Sequence, residues 1–239
     1  MILITGAGGK LGKELAGLFP DALTPNRTEL DITNEKQVRE YLKKHMPDTV
    51  IHLAAATSIP FCEGNKPEAW KTNVIGTVNL LKNCESSCYF VYMSTACIFD
   101  GKTGGYTEQD MPNPKNFYSL TKLVAETLVL NSTVERKLVI RSNFVAREKW
   151  PYEGAFVDRW GTYLFADQLA LAIKEVMEAE LSGVVHIAGD KKLSMYELAK
   201  MTTSEIKPIR YADFKSTVGY ELTEDMTLNS IRWKRYAIK

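Results

Sequence analysis

Two spacings of apolar residues alternate along the first 145 residues of the chain. Continuous apolar runs typical of buried strands occur at residues 2–4, in "DTVIHLAAA", in "YFVYMS" and in "KLVIRS". Between these runs, apolar residues recur every three or four positions, as in the segment that carries Leu11, Leu15 and Leu18. Strands that alternate with helices are typical of a parallel sheet covered on both faces, so the pattern predicts an α/β, doubly wound parallel sheet.

In two of the helical segments, the spacing of the apolar residues predicts which side chains face the core. After Asn34, a favourable N-cap residue, the apolar face consists of Val38, Leu42 and Met46. The later segment begins at Pro67, since proline suits the first turn of a helix, and its inner face consists of Trp70, Val74 and Leu81.

The alternation weakens after about residue 145. The segment "REKWPYEGAFVDRWGTY" is predicted to be a loop rich in aromatic and charged residues. A helix in "FADQLALAIKEVMEAE" and a strand in "GVVHIAG" follow, and Ser194 with Glu197 forms the pattern of a capping box at another helix. No element is assigned after about residue 204. We therefore expect a core at residues 1–145 and a mixed region at residues 146–239, which completes the core and forms a small substrate lobe.

Glycines are concentrated in "MILITGAGGKLG", where the first strand gives way to a helix. Gly6, Gly9 and Gly12 follow the strand at intervals of three. In this context the first glycine permits a tight turn, the second lets a pyrophosphate approach the backbone, and the third permits close helix packing. The helix N-terminus then offers N–H groups to the phosphates. A nucleotide triphosphate loop fits less well, because Leu11 stands where a magnesium-binding Ser or Thr belongs. The segment predicts a dinucleotide-binding Rossmann core.

Charge and composition exclude several other classes of function. Thirty Lys and Arg residues against 29 Asp and Glu give a net charge of +1, which predicts no nucleic-acid partner. No apolar run approaches the roughly 20 residues that span a bilayer, and the N-terminal sequence lacks the features of a signal peptide. The four cysteines and three histidines show no zinc-binding spacing, so no metal is expected. We expect a cytoplasmic protein with no membrane partner.

A second group of residues suggests proton transfer. Tyr118 and Lys122 are four residues apart in the helical segment "FYSLTKLVAE", so their side chains share one face. A nearby ammonium favours the phenolate, and the pKa of Tyr118 is therefore expected to fall towards neutrality. Such a tyrosine can protonate a carbonyl oxygen as hydride arrives. Ser94 and Thr95 end a predicted strand, where open α/β sheets bind ligands, and can hydrogen-bond the same oxygen.

The short segment "ALTPNRTELD" bears on the choice of cofactor. In a dinucleotide-binding fold the end of the second strand faces the adenosine ribose, where an acidic residue binds the 2′-hydroxyl and repels a 2′-phosphate. Here Arg27 stands near that position, and its guanidinium can bind a phosphate. We expect NADP or NAD to bind, with NADPH favoured. In the alternatives, Arg27 points into solvent, or Glu29 or Asp31 serves the ribose of NAD.

Several longer motifs resemble one known family. The glycine triplet, "HLAAAT", "KTNVIGTVNLL", "STACIFDG" and "YSLTK" occur in the order seen in the extended short-chain dehydrogenases/reductases. Within that group, "ELDITN", "STACIFDG" and "IRSNFV" are most similar to the dTDP-4-dehydrorhamnose reductases. The resemblance covers residues 1–145 well and is looser beyond them. It implies a Rossmann-like fold and NAD(P)-dependent reduction of a 4-keto nucleotide sugar.

The resemblance also implies roles for individual residues. Tyr118 would be the catalytic acid, Lys122 would hold the nicotinamide ribose and tune Tyr118, and Thr95 would orient the substrate oxygen. Asp31 and Ile32 would border the adenine, residues 54–56 would line the cofactor wall, and Asn73 would brace the loops from beneath. The complete set expected to bind the cofactor is Gly6, Gly8, Gly9, Lys10, Leu11, Gly12, Arg27, Asp31, Ile32, Leu53, Ala54, Ala55, Ala56, Asn73, Tyr118 and Lys122.

Departures from the family pattern leave two alternatives open. Ala96 and Cys97 stand where related dehydratases need an acid pair, which argues against dehydration. A nucleotide-sugar epimerase would use the same Thr95, Tyr118 and Lys122. The segment between "IRSNFV" and "FADQLA" is shorter than in the reductases, which favours a non-catalytic nucleotide-binding subunit, as in the regulatory β subunit of methionine adenosyltransferase. The expected partners are a nucleotide sugar and a second copy of the chain in a homodimer.

Overall fold

Four strands and six helices form the first part of the protein in the computed structural model, which describes residues 1–239. The strands are β1 (Ile2–Thr5), β2 (Thr49–His52), β3 (Tyr89–Met93) and β4 (Arg136–Arg141). The helices are α1 (Lys10–Leu18), α2 (Glu35–His45), α3 (Ile59–Gly64), α4 (Lys66–Trp70), α5 (Gly76–Asn83) and α6 (Phe117–Leu130). A π-helical segment, Lys71–Ile75, joins α4 to α5, and a 3-10 turn, Ala96–Ile98, follows β3.

The second part contains many short strands and two helices. The strands are β5 (Phe144–Val145), β6 (Gly154–Phe156), β7 (Trp160–Gly161), β8 (Leu164–Phe165), β9 (Gly183–His186), β10 (Leu193–Ser194), β11 (Lys207–Ile209) and β12 (Asp225–Met226). The helices are α7 (Ala166–Glu178) and α8 (Met195–Lys200), the latter with the predicted capping box of Ser194 and Glu197. The sequence pattern missed most of these strands, because two or three residues are too few to show an alternation.

The central sheet is parallel and has the strand order β1-β2-β3-β4-β9. Leu3 pairs with Val50, Val50 with Phe90, and Phe90 with Lys137 across the first four strands. The segment "ALT" at the start of "ALTPNRTELD", where the second strand is expected, pairs with β1 through a single bridge between Leu23 and Leu3. This topology confirms the predicted doubly wound, Rossmann-like fold.

Helices cover both faces of the sheet, as the apolar pattern predicts. Ile4, Ile51 and Val91 face α1 and α7 and form one core cluster with the apolar sides of those helices. Leu3 and Val50, their neighbours along the strands, face α2, α5 and α6 in a second cluster. Successive residues of a strand point to opposite faces, so a continuous apolar run can fill both cores.

Two predicted inner-face residues lie outside the core. Met46 is 70% exposed, because α2 ends at His45 and Met46 itself has a left-handed backbone with φ of 43°. Trp70 is 37% exposed, whereas Val74 and Leu81 are buried as predicted. The π-helical segment separates Trp70 from Leu81, and its wider turn breaks the 3.6-residue spacing on which the prediction depended.

The second part packs around a third apolar cluster, which includes Phe99, Tyr163 and Met226. Strand β12 pairs with β7 in parallel, and β11 pairs with β6 in the same way. The same part of the chain supplies β9 and α7 to the central layers. No helix combines the length and apolar character needed to cross a membrane. No three His, Cys, Asp or Glu side chains are grouped so that they could hold a metal ion.

Candidate active site

A cavity of about 910 Å³ lies at the carboxyl ends of the central strands. Thr5, Leu53, Met93 and Ser142, at or just after the ends of β1 to β4, all line it. The predicted residues that line it are Gly6, Gly8, Gly9, Lys10, Leu11, Gly12, Arg27, Asp31, Ile32, Leu53, Ala54, Ala55, Thr95, Tyr118 and Lys122. Residues from distant parts of the sequence therefore meet in one groove, at the edge where open α/β sheets bind ligands.

The glycine turn is tightly packed at the start of α1. Gly6 has φ of +76°, and a Cβ atom there would lie 2.7 Å from the backbone nitrogen of Ala54, so only glycine fits. A Cβ atom at Gly12 would lie 2.6 Å from Cα of Ala7, so this residue allows α1 to pack on the turn. Gly9 is the N-cap of α1 and lines the cavity. The N-terminus of α1 is therefore placed to bind an anion.

Arg27 and Asp31 line another part of the same cavity. The Arg27 side chain is exposed, and the Asp31 side chain accepts hydrogen bonds of 2.9 Å and 2.8 Å from the backbone N–H and hydroxyl of Thr33. Burial opposes ionisation of Asp31, but these hydrogen bonds and the charges of Arg27 and Lys71 keep its pKa below the usual value. An anionic Asp31 and a cationic Arg27 therefore share this end of the cavity.

Asn73 and Ala56 do not line the cavity but support its wall. The side chain of Asn73 accepts a hydrogen bond of 2.7 Å from the backbone N–H of Ala56 and donates one of 3.0 Å to its carbonyl. It also donates to the hydroxyl of Thr121 at 2.9 Å, which connects α6 to the same loop. Asn73 lies in the π-helical segment, a feature often found at functional sites. It thus braces the loop after β2 from beneath.

Thr95, Tyr118 and Lys122 meet in the cavity from two elements. Thr95 follows β3 and caps the 3-10 turn by accepting a hydrogen bond from the N–H of Cys97 at 3.1 Å. Tyr118 and Lys122 lie in the first two turns of α6, whose N-cap Asn116 accepts a hydrogen bond from Ser119. The cap sets where the helix begins, and thereby places both side chains on the face that lines the cavity.

The electrostatic surroundings of Tyr118 differ from the sequence-based expectation. Burial raises the pKa of Tyr118 above its usual value, the Cys97 thiol adds to the increase, and a hydrogen bond with Thr95 opposes it. The predicted fall towards neutrality is therefore wrong. The Lys122 nitrogen lies over the ring of Tyr92, 4.2 Å from its centroid, and burial lowers the pKa of Lys122 to about 7, against the attraction of Glu126. Tyr118 is accordingly protonated at neutral pH, as an acid must be.

A buried ion pair lies beneath this group. Glu126 accepts hydrogen bonds from Arg141 through both carboxylate oxygens and one of 2.7 Å from the hydroxyl of Ser94. Arg141 also contacts the ring nitrogen Nε2 of His186 at 3.3 Å. The network joins α6 to the ends of β3, β4 and β9, so it fixes the helix that carries Tyr118 and Lys122 against the sheet.

The sequence predicted a substrate lobe in residues 146–239, but it identified none of the residues that the second part of the chain and the 3-10 turn supply to the cavity wall. These residues are Cys97, Asn143, Phe144, Val145, Tyr152, Arg159, Tyr163, Met195 and Met226. For Tyr152, Arg159 and Tyr163, the abundance of aromatic and charged residues in the loop after residue 145 was the sign in the sequence.

Comparison with known proteins places these features in a family context. A family model described as the RmlD substrate binding domain matches residues 1–160. A dTDP-4-keto-6-deoxy-D-glucose reductase of Streptomyces niveus is 30% identical over 220 residues, which cover 84% of this chain and 76% of the relative. The rat methionine adenosyltransferase 2 subunit beta (Rattus norvegicus) is 23% identical over 249 residues, which cover 87% of this chain and 75% of the relative.

The fold also matches a solved structure. A dTDP-4-dehydrorhamnose reductase from Bacillus anthracis, solved in complex with NADP, superposes with a TM-score of 0.86. The match covers 95% of this chain and 89% of that one, at 24% sequence identity. At this identity the likeness is one of fold, and it agrees with the strand order of the central sheet.

Proposed function

The chain belongs to the RmlD substrate binding domain family, and on that premise we propose that it reduces the 4-keto group of a nucleotide sugar with NADPH. The observation that carries the proposal is the single cavity that joins the glycine turn to Thr95, Tyr118 and Lys122. A dinucleotide that extends from the turn would bring its reactive end to these three side chains. A ketone bound beside them would then receive hydride and a proton in the same cavity.

The nicotinamide ring supplies the hydride when the cofactor is bound. The hydroxyl of Tyr118 donates a proton to the ketone oxygen as negative charge develops there, and its raised pKa keeps the hydroxyl protonated until then. The hydroxyl of Thr95 hydrogen-bonds the same oxygen and orients the carbonyl. Lys122, buried and 4.2 Å from the ring of Tyr92, holds the ribose and restores the proton through its own titration near pH 7. The product is the alcohol.

The cofactor would lie along the N-terminal half of the cavity. The N-terminus of α1 and the N–H groups of Gly8 and Lys10 would hold the pyrophosphate. Arg27 would bind the 2′-phosphate of NADPH, with Asp31 and Ile32 at the adenosine and Leu53, Ala54 and Ala55 along the wall. The presence of NADP in the related Bacillus anthracis structure supports this assignment.

We further propose that residues 146–239 act as the substrate lobe while they complete the core. Arg159, Tyr163 and Met226 from this region line the cavity beside Cys97, which supports the assignment. Thus the shortened segment still supplies a wall for the substrate.

We also propose that the protein is cytoplasmic and forms a homodimer. Sedimentation of the purified chain tests the homodimer, and fractionation of the source cells tests the location.

The presence of three catalytic candidates in one cavity, Thr95, Tyr118 and Lys122, favours a reductase over a non-catalytic subunit. A subunit that only bound nucleotide would not need a protonated tyrosine and a buried lysine beside each other. An epimerase would use the same three residues but return the hydride to its substrate, with no net consumption of NADPH.

Loss of NADPH absorbance upon addition of dTDP-4-keto-6-deoxy sugars tests the function, with the sugar product identified by mass spectrometry. The reductase requires one NADPH oxidised for each ketone converted. A new sugar isomer without NADPH consumption would identify an epimerase. Tight binding of NADPH without conversion of any 4-keto nucleotide sugar would favour the non-catalytic role.

A further inference from the structure

Cys84 and Cys88 lie at the two ends of one short turn. Cys84 is the C-cap of α5, and its backbone N–H donates to the carbonyl of Leu80 at 2.9 Å. Cys88 immediately precedes β3, and its backbone N–H donates to the carbonyl of Glu85 at 3.0 Å, which closes the turn. The turn reverses the chain between a helix and a strand, so it brings the two cysteines together.

Neighbouring parts of the fold hold this turn in place. The carbonyl of Ser86 accepts a hydrogen bond of 2.8 Å from the backbone N–H of Glu135, just before β4. At the start of β3, the backbone N–H of Tyr89 donates to the carbonyl of Asp48 at 2.8 Å. These two contacts lie on either side of Cys88 along the chain, so the fold sets the position of its thiol relative to α5.

The two thiols contact each other but differ in exposure. The side chains of Cys84 and Cys88 form a hydrogen bond. Cys88 is 1% exposed and belongs to the core cluster that contains Leu3 and Val50, whereas Cys84 is partly exposed at the edge of that cluster. A disulfide requires two cysteines whose Cα atoms lie within about 7 Å and whose side chains face each other. Thiols already in contact across a turn need little backbone movement to form such a bond.

Cys84 opens onto a small surface cavity. The cavity has a volume of about 130 Å³, which has room for water-sized molecules, and Arg39, Lys43 and Glu85 also line it. The hydrogen bond from Cys88 lowers the pKa of the Cys84 thiol, against the effects of burial and of the Glu85 charge. The same hydrogen bond, together with burial, raises the pKa of Cys88. Cys84 is thus the accessible thiol with the greater thiolate character, and Cys88 is its protonated neighbour.

The other two cysteines lack these features. Cys62 is buried, its thiol donates to the carbonyl of Ala56 at 3.4 Å, and burial raises its pKa to about 11. The thiol of Cys97 contacts the sulfur of Met226 at 3.3 Å, and burial raises its pKa as well. Neither thiol forms a hydrogen bond with another cysteine. Cys62 and Cys97 therefore serve as references within the same chain.

We propose that Cys84 and Cys88 form a redox modification site, at which a hydroperoxide oxidises the pair to a disulfide. The Cys84 thiolate attacks one oxygen of hydrogen peroxide: an S–O bond forms, the O–O bond breaks, and the hydroxide that leaves is protonated to water. The sulfur of Cys88 then attacks the sulfur of Cys84: the S–S bond forms, the S–O bond breaks, and hydroxide leaves with the Cys88 proton as a second water. The two thiols together lose two electrons, which reduce the peroxide.

The pair lies at the opposite end of the sheet from the reaction centre. Strand β3 runs from Tyr89, next to Cys88, to Met93, which lines the cavity that holds Tyr118. The disulfide would join the end of α5 to the start of β3 and leave the cavity unchanged. The modification site therefore goes beyond the proposed reductase function and does not depend on it.

Treatment of the reduced chain with hydrogen peroxide, followed by mass spectrometry without reduction, tests the site. Chymotrypsin separates Cys97 from the pair, because it cuts after the aromatic residues of β3. We expect the peptide with Cys84 and Cys88 to lose two hydrogens and to regain them with dithiothreitol. Cys84 should react about tenfold or more faster than Cys62 and Cys97, since exposure and thiolate character set the rate. No disulfide at this turn, or one that includes Cys62 or Cys97, would overturn the proposal.

Matched variants separate the roles of the two thiols. Cys88→Ser keeps a hydrogen-bond donor beside Cys84, and Cys88→Ala keeps the core apolar. In both variants the oxidation of Cys84 should stop at the sulfenic acid, which dimedone traps. In Cys84→Ser, the buried Cys88 should remain a thiol under the same treatment. Oxidation of Cys88 in Cys84→Ser at the wild-type rate, or no dimedone adduct at Cys84 in either Cys88 variant, would contradict the assigned order of attack.

The unfolding temperature shows whether the disulfide belongs to the folded chain. The oxidised chain should unfold at a temperature no lower than the reduced chain and keep its NADP+ affinity, because the bond forms between thiols already in contact. A disulfide that forms only where the chain begins to unfold would overturn the proposal. A chain that reduces no 4-keto sugar can still form the disulfide, and full reductase activity without a disulfide would reject the site and leave the function standing.

Discussion

The guanidinium of Arg27 lies 3.7 Å from the carboxylate of Asp31, and both side chains line the cavity. The Asp31 carboxylate also accepts two hydrogen bonds from Thr33, which hold it in place. The pair therefore orients an exposed arginine at the position where a 2′-phosphate would lie. An exposed pair of this kind contributes little to stability, so its value lies in binding.

Arg27→Ala should weaken NADPH at least about tenfold and leave NADH nearly unchanged, because only NADPH has a phosphate for the guanidinium to bind. Fluorescence titration with each nucleotide measures the two affinities. Arg39→Ala, which removes an exposed arginine of α2 outside the cavity, is the matched control and should leave both affinities unchanged. Tighter binding of NADH by the wild type, or an equal loss for both nucleotides in Arg27→Ala, would contradict the assignment.

Gly9→Val should abolish NADPH binding in a folded protein. Gly9 has φ of −75°, which valine tolerates, and a Cβ atom there meets only the carbonyl oxygen of Gly6, at 3.2 Å. The added side chain would then occupy the cavity beside the N-terminus of α1, where the pyrophosphate would lie. Circular dichroism checks the fold, and nucleotide titration checks binding. Gly17→Ala, whose Cβ atom would meet no heavy atom within 4 Å, is the control on the same helix. A folded Gly9→Val variant with normal NADPH affinity would disprove the location.

Tyr118→Phe should reduce turnover by about 10²–10⁴-fold, the typical contribution of general acid–base catalysis, and leave NADPH affinity intact. The substitution removes only the hydroxyl that we propose protonates the ketone oxygen. Steady-state rates with the 4-keto substrate measure the loss. Tyr41→Phe, on α2 and outside the cavity, controls for a general effect of removing a phenol. Turnover within a few-fold of the wild type would remove Tyr118 from the mechanism.

Lys122 makes stability depend on pH in a defined direction. Its pKa is about 7 in the folded protein, lowered by burial, against 10.5 for the ordinary side chain. Between these values the unfolded chain binds a proton that the folded chain lacks, so stability should rise with pH by up to about 1.4 kcal/mol per unit. Lys122→Met should lose this rise.

Urea unfolding of the wild type and Lys122→Met at pH 7 and pH 10 measures the difference. The free energy of unfolding of the wild type should rise relative to that of Lys122→Met between pH 7 and pH 10. Below pH 6 this rise should be absent, because Lys122 carries its proton in both the folded and the unfolded chain. Lys82→Met, on the exposed surface of α5, is the control. A constant difference between wild type and Lys122→Met across the range would show that burial does not lower the pKa of Lys122.

Local chemistry in the sequence was enough to predict the layers and one end of the site. Short apolar runs bounded by turn residues are typical of central strands, and the spacing of Leu11 and Leu15 is typical of one face of a helix. Gly12 is required by the backbone of Gly6 and Ala7, a few residues away, so its role was visible in the chain itself, whereas the close contact at Gly6 is with the backbone of the distant Ala54. The spacing of Tyr118 and Lys122 likewise placed both on one face of α6.

Only the tertiary structure decided the electrostatics and the far wall of the cavity. The pKa of Tyr118 rises because burial outweighs neighbouring charges, and burial depends on elements separated by many residues along the chain. Trp70 lies outside the core because the π-helical segment that follows it has more residues per turn than an α-helix, and no periodic pattern in the sequence predicts this. Arg159 and Tyr163 lie on either side of the two-residue strand β7, and long-range pairing with β10 and β12 positions that strand. Short-range spacing fixes elements, whereas burial and charge arise from contacts between distant residues, and these exist only once the chain has folded.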